Sequence, residues 1–127
     1  MNVTIYPHPL KGTLKTISSK SLSHRYIIAA SLAFGVSQIH EVLDSDDLVA
    51  TRNALSHFGV TFEKDKVIGG LKTYDHMSID CHESGSTLRF MIPLSMLSHD
   101  EVTFTGHGRL PYRPLSVYKD LFSKAPL

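Results

Sequence analysis

Three short stretches of this chain combine hydroxyl, glycine and cationic side chains in a pattern suited to holding anions. The first is Lys20-Ser21-Leu22-Ser23-His24-Arg25. If Ser21 caps a helix, Arg25 falls near its first turn, where the helix dipole disfavours a cation unless an anion sits at the N-terminus. Backbone N–H groups, a serine hydroxyl, an ammonium and a guanidinium then converge on a phosphate or carboxylate. The same residues also fit a plain serine cap with Arg25 in solvent. The second stretch, Glu83-Ser84-Gly85-Ser86-Thr87-Leu88-Arg89, repeats the logic, with a glycine that permits close backbone approach. The third is Arg109-Leu110-Pro111-Tyr112-Arg113-Pro114, with Arg113 directly before an expected helix start. Together they point to a ligand with several negative groups.

Other reactive residues give less. The histidines at 8, 24, 40, 57, 76, 82, 99 and 107 show no metal-type spacing, such as two on one helix at i and i+4, and are read as solvated or structural. Cys81 and His82 are neighbours, but successive residues of a strand face opposite ways, so Cys81 is expected to be buried rather than nucleophilic.

The elements that must carry these groups follow from periodicity and turn residues. Residues 1–17 read as extended, with short strands at Val3–Tyr6 and Gly12–Ile17. After Ser18-Ser19-Lys20-Ser21 comes a helix with Tyr26, Ile27, Ala30, Leu32 and Ala33 on its apolar face, stopped by Gly35. A strand is expected over Ser37–Leu43. A second helix is expected over Asp47–Phe58, capped by Asp44-Ser45-Asp46 and ended by Gly59. Short strands are expected at Val60–Glu63, Lys66–Ile68 and Met77–Cys81. The pattern then restarts: Arg25-Tyr26-Ile27-Ile28 matches Arg89-Phe90-Met91-Ile92 at an offset of 64, which suggests an internal repeat. Pro93 predicts a kink or a late start in the second copy's helix. A strand over Glu101–Thr105 and a helix opening at Pro114 complete the pattern. The chain stops at Ala125-Pro126-Leu127, where the second unit would still need its closing strands, so a truncated protein is expected.

Composition sets the limits. With 127 residues, 42% hydrophobic and 20% charged, the chain suits one ordinary globular domain. No apolar run approaches the ~18 residues of a membrane span, and the N-terminus lacks the layout of a secretion signal. A single cysteine allows no internal disulfide and fits a reducing cytoplasm. Residues 1–40 hold Lys11, Lys15, Lys20 and Arg25 without one acid, although the whole chain is only +1. That imbalance suggests that the first segment meets an anion, or that a basic strand edge is protected from pairing.

Lys20-Ser21-x-Ser23-x-Arg25 before an alanine-rich helix resembles the N-terminal signature of the 5-enolpyruvylshikimate-3-phosphate synthase family. Glu83 to Arg89 resembles its second signature and Gly106 to Pro114 its third, and Asp46-Asp47 and Thr51 to Gly59 also fit. The chain departs from the commonest pattern with Glu83 where Asn is frequent, Ser86 where Thr is frequent and Phe90 where Pro often follows the arginine. The resemblance implies an α/β fold of repeated βαβαββ units, in a fragment of a two-domain protein. Residues 1–18 would be strands of the C-terminal domain. Residues 19–127 would be a partial N-terminal domain, one complete unit and most of a second. It implies transfer of the enolpyruvyl group of phosphoenolpyruvate to the 5-hydroxyl of shikimate 3-phosphate, with no cofactor and no metal. Lys20 would be catalytic and touch both substrates. Ser21 and Arg25 would hold shikimate 3-phosphate, Gly85 and Arg113 phosphoenolpyruvate, and Ser86 and Arg89 would support the loop. The remainder of the polypeptide would complete the site, so this stretch alone would be inactive.

Two rivals are weighed. A UDP-N-acetylglucosamine enolpyruvyl transferase usually has Lys-Asn at Lys20-Ser21 and a cysteine in the loop that here reads Gly106 to Tyr112. A non-catalytic anion- or nucleic-acid-binding module would need a broader basic surface than a net charge of +1 offers.

Overall fold

Three helices supply much of the core, each by one buried face at helical spacing; that of the first is partly polar, and Tyr26, Leu32 and Ala33, expected on its apolar face, are exposed. The computed structural model describes residues 1–72, 76–97 and 101–123. Helix α1, Lys20–Leu32, buries Ser23, His24, Ile27, Ala30 and Ser31. Helix α2, Asp46–His57, buries Leu48, Ala50, Thr51, Ala54 and Leu55. Helix α3, Gly85–Ser95, buries Thr87, Leu88, Met91 and Leu94. These faces meet Phe58, Val60, Val67, Met77, Ile79, Cys81 and Leu110 in one continuous core. No helix among the described residues is long and apolar enough to cross a membrane.

Strands β1 (Gly35–Gln38), β2 (Thr61–Glu63) and β3 (Lys66–Gly69) form an antiparallel sheet in the order β1-β3-β2. The end of β3 packs against the last turn of α1 so closely that a Cβ at Gly69 would overlap the carbonyl oxygens of Ala30 and Ala33. Strands β4 (His76–Asp80) and β5 (Glu101–Thr105) pair in parallel, and α3 is the crossover between them. In β4 the alternation is strict: Met77 and Ile79 are buried, His76 and Ser78 exposed. A 3₁₀ turn, Leu110–Tyr112, and helix α4, Ser116–Phe122, follow β5. The order helix-strand-helix-strand-strand is thus followed by strand-helix-strand-helix, the repeat expected from the 64-residue offset.

Several expectations need correction. Residues 1–19 form no strand, and Ile5, Leu14 and Ile17 are each about 85% exposed. A strand needs a neighbour to bond, and among the described residues nothing pairs with this segment. It touches the fold through the Lys15–Glu41 ion pair at 3.3 Å and a bond from the Ser18 hydroxyl to the Glu41 carbonyl. The strand expected over Ser37–Leu43 is instead β1, two residues earlier and shorter, because Glu41 turns the chain at φ +54°. Gly35 belongs to that strand, and α1 ends earlier, at Leu32. Pro114 precedes the cap of α4, Leu115, and does not occupy its first turn.

Pro93 is accommodated without a late start, since α3 begins at Gly85. The proline cannot donate to the carbonyl of Arg89 four residues back. The Tyr118 hydroxyl of α4 donates to it instead, at 3.0 Å. The closing residues Ala125-Pro126-Leu127, like His99, lie outside the described residues.

Candidate anion-binding site at three helix starts

The N-termini of α1, α2 and α3 are tied together by side chains from their first turns. Ser19, not Ser21, caps α1, accepting from the Leu22 N–H at 3.4 Å. Lys20 and Ser21 are therefore the first helical residues, and the Ser21 side chain is exposed at the helix mouth. The Lys20 ammonium bonds the carboxylate of Asp47, in the first turn of α2. That ammonium holds the Asp47 carboxyl below the usual carboxylate range against the opposing effect of burial, and the Ser84 hydroxyl adds to the lowering. Ser84 is itself the cap of α3, accepting from the Thr87 N–H at 3.1 Å.

Beneath this surface runs a buried chain of hydroxyls. His24 Nδ1 lies 2.9 Å from Thr51 Oγ1, and Thr51 Oγ1 lies 2.8 Å from Thr87 Oγ1. The Thr87 hydroxyl donates to Ser84 Oγ at 2.7 Å. If His24 donates first, one proton direction satisfies the whole series: His24 to Thr51, Thr51 to Thr87, Thr87 to Ser84, and Ser84 to the Asp47 carboxylate. Burial lowers the His24 pKa, with Lys20 and Arg25 acting in the same direction and Asp47 against them. Its Nε2 has no hydrogen-bond partner among the described residues, so a second ring proton would be buried unpaired.

Arginines form the other side of the site. Gly85 is buried under two of them: a Cβ built there would lie 2.7 Å from Arg113 Nη1 and 3.0 Å from Arg89 Nη1. The 3₁₀ turn delivers Arg113. Leu110 is anchored in the core at 3% exposure, and the Arg113 N–H closes the turn on its carbonyl at 3.1 Å. Arg113 was expected to precede a helix start; it instead ends this turn and reaches over the start of α3. Arg89 donates to the Gly85 carbonyl at 3.4 Å, and Ser86 sits half-buried in the same turn. Arg25 donates to the Ser21 carbonyl at 2.8 Å and lies over the Phe90 ring, 5.6 Å from its centre. Among the described residues, neither Arg25, Arg89 nor Arg113 makes an ion pair, so their charge is available to a ligand.

All seven candidates from the sequence thus line one region: Lys20 and Ser21 on α1, linked through Asp47 and Ser84 to Gly85, with Ser86, Arg89 and Arg113 around it and Arg25 resting on α3. Sequence reading missed Asp47, taken as part of a cap, and the His24-Thr51-Thr87 series, whose members are 27 and 36 positions apart. Cys81 is fully buried and its thiol is pushed up to about 11 by burial, as suits a core residue. Among the described residues, three side chains able to ligate a metal, Asp80, His82 and His107, gather at the ends of β4 and β5.

A family profile described as EPSP synthase (3-phosphoshikimate 1-carboxyvinyltransferase) matches residues 5–125. The chain belongs to the EPSP synthase family. It is 43% identical to the 3-phosphoshikimate 1-carboxyvinyltransferase of Clostridium novyi, over 95% of this chain and 31% of that protein. It is 45% identical to that of Clostridium kluyveri, over 94% of this chain and 29% of that protein. The solved EPSP synthase from Acinetobacter baumannii superposes with a TM-score of 0.71 at 27% identity, covering 88% of this chain and 28% of the other. The chain therefore spans about 30% of the length of its relatives, and the α/β architecture above is that of part of an EPSP synthase.

Proposed function

We propose that this chain forms one wall of the active site of an enzyme that transfers the enolpyruvyl group of phosphoenolpyruvate to the 5-hydroxyl of shikimate 3-phosphate, releasing phosphate. One observation carries the reading: two guanidinium groups without ion-pair partners among the described residues converge on Gly85, beside the Lys20–Asp47 pair. Arg113 and the backbone at Gly85 suit the phosphate and carboxylate of phosphoenolpyruvate. Lys20, Ser21 and Arg25 suit shikimate 3-phosphate, and Lys20 stands where both substrates would meet it. Ser86 and Arg89 support the loop. The reaction protonates the methylene carbon of phosphoenolpyruvate and adds the 5-hydroxyl oxygen, which gives up its proton, to the resulting cationic centre. The tetrahedral adduct then expels phosphate as a proton leaves the new methyl group, which restores the carbon–carbon double bond. Fixed cations that neutralise the shifting charge are the main means of catalysis for such a step. Lys20, poised on Asp47, is the candidate to balance that charge.

In this reading the exposed apolar side chains of residues 1–18 belong as strands to a second domain, and the rest of the polypeptide closes over the site and completes it. The enzyme is assigned to the cytoplasm, where Cys81 stays reduced. The test uses the full-length enzyme. Arg113→Ala should weaken phosphoenolpyruvate binding by roughly 10- to 100-fold and leave shikimate 3-phosphate nearly unchanged, and Arg25→Ala should do the reverse. Equal losses of both ligands in both variants would overturn the assignment.

A further inference from the structure

Because β4 and β5 run parallel and in register to Asp80 and Thr105, the loops that leave them start side by side. Three metal-ligating side chains meet there. One donor atom each from Asp80, His82 and His107 falls within 4.8 Å of the others, and His107 Nε2 stands 3.3 Å from Asp80 Oδ2. The main chain holds the arrangement. The Cys81 N–H donates to the Thr105 carbonyl at 2.9 Å and the His107 N–H to the His82 carbonyl at 2.8 Å. The His82 N–H donates to Asp80 Oδ1 at 2.8 Å, which fixes one carboxylate oxygen and leaves the other for a ligand. His82 itself takes φ +50°, a turn conformation that keeps it beside the strand end.

We propose that Asp80, His82 and His107 bind one divalent ion of the zinc class and thereby clip the loop leading to Gly85 to the loop leading to the turn that ends at Arg113. A tetrahedral ion with bonds near 2.0–2.1 Å needs donors roughly 3.3 Å apart. The Asp80–His107 pair is already at that separation, and the exposed His82 ring can close the remainder by rotation. Two imidazoles and one carboxylate suit zinc, cobalt or nickel, whereas magnesium and calcium favour oxygen donors throughout. Three protein donors leave a fourth position for water. The site uses none of the residues assigned to substrates, so it stands or falls apart from the proposed function.

The test is calorimetric titration of this chain with Zn²⁺ near neutral pH, together with the visible spectrum of the Co²⁺-loaded protein. One ion per chain is expected, with the absorption of tetrahedral Co²⁺. His82→Ala, His107→Ala and Asp80→Asn should each weaken binding at least about tenfold, no less than loss of a supporting residue does. His8→Ala and His57→Ala, exposed histidines elsewhere, should leave it unchanged. His107→Gln repeats the comparison with a polar side chain should the alanine variant melt at a lower temperature. Absence of saturable Zn²⁺ binding would overturn the proposal, as would binding that survives the double change of His82 and His107.

Discussion

The starts of α1 and α3 are two copies of one local design put to different uses. In each, a serine caps the helix and an arginine donates to the carbonyl four residues before it: Arg25 to Ser21 at 2.8 Å, Arg89 to Gly85 at 3.4 Å. The copies differ in what neighbouring elements bring to them. Helix α2 brings a carboxylate, Asp47, which neutralises Lys20 at the first start. The 3₁₀ turn brings a second cation, Arg113, to the other start, where Arg89 already stands. Repetition preserved the helix start and its arginine; tertiary neighbours left one uncompensated cation, Arg25, at the first start and two, Arg89 and Arg113, at the other.

The sharpest way to break this comparison is to change the two residues that the 64-residue offset aligns, Gly85 and Ser21. Gly85→Ala places a methyl group against Arg113 Nη1 and Arg89 Nη1, the far ends of long, flexible side chains. The fold should survive, with an unchanged melting temperature. In the full-length enzyme, phosphoenolpyruvate binding should weaken by about 10- to 100-fold, the size of one lost charge-assisted bond. Ser21→Ala removes an exposed hydroxyl and should weaken only shikimate 3-phosphate. Equal loss of phosphoenolpyruvate binding in both would mean that the two starts are not distinct.

A smaller effect is expected from Thr51→Val, which cuts the hydroxyl series that locks the starts together. It leaves His24 Nδ1 without its partner in a buried site, while Thr87 keeps Ser84 and the Asp47 carbonyl, at a cost of about 1–3 kcal/mol. Urea unfolding of this chain measures it, and a stability within error of the parent would show that the series does not hold the helices.

The smallest effect concerns pH. His24 has a lowered pKa in the fold, so the unfolded chain binds its proton more readily, and stability is full above the ordinary histidine value. It should decline as pH falls below about 6.5, and His24→Gln should flatten that decline. Asp47, also lowered, contributes above its unfolded value, and its share is lost in more acid solution. A stability of the parent chain that stays level between neutral pH and pH 5 would contradict the His24 part.

Much of this was legible because it is local. Cap residues, glycine stops and stripes of apolar residues report the φ/ψ and burial of their own segment, which is why α2 falls within one residue of its expected bounds and β5 agrees throughout. Even the cap of α1 was misread by only two positions, since Ser19 and Ser21 offer the same hydroxyl to the same backbone. Strands are less local. Residues 1–17 have strand-like alternation but no partner among the described residues, and alternation alone makes no ladder.

By itself, then, the sequence determined to within about two residues where the helices begin, that Lys20, Arg25, Gly85, Arg89 and Arg113 could serve an anion, and which family's motifs they form. Only the tertiary structure decided that Asp47 answers Lys20, that Arg25 lies over Phe90, that Tyr118 takes the carbonyl freed by Pro93, and that His107 joins Asp80 and His82. Each of those pairings spans more than 20 positions of chain, and its partners meet only because packing the core brings the ends of separate elements to one place.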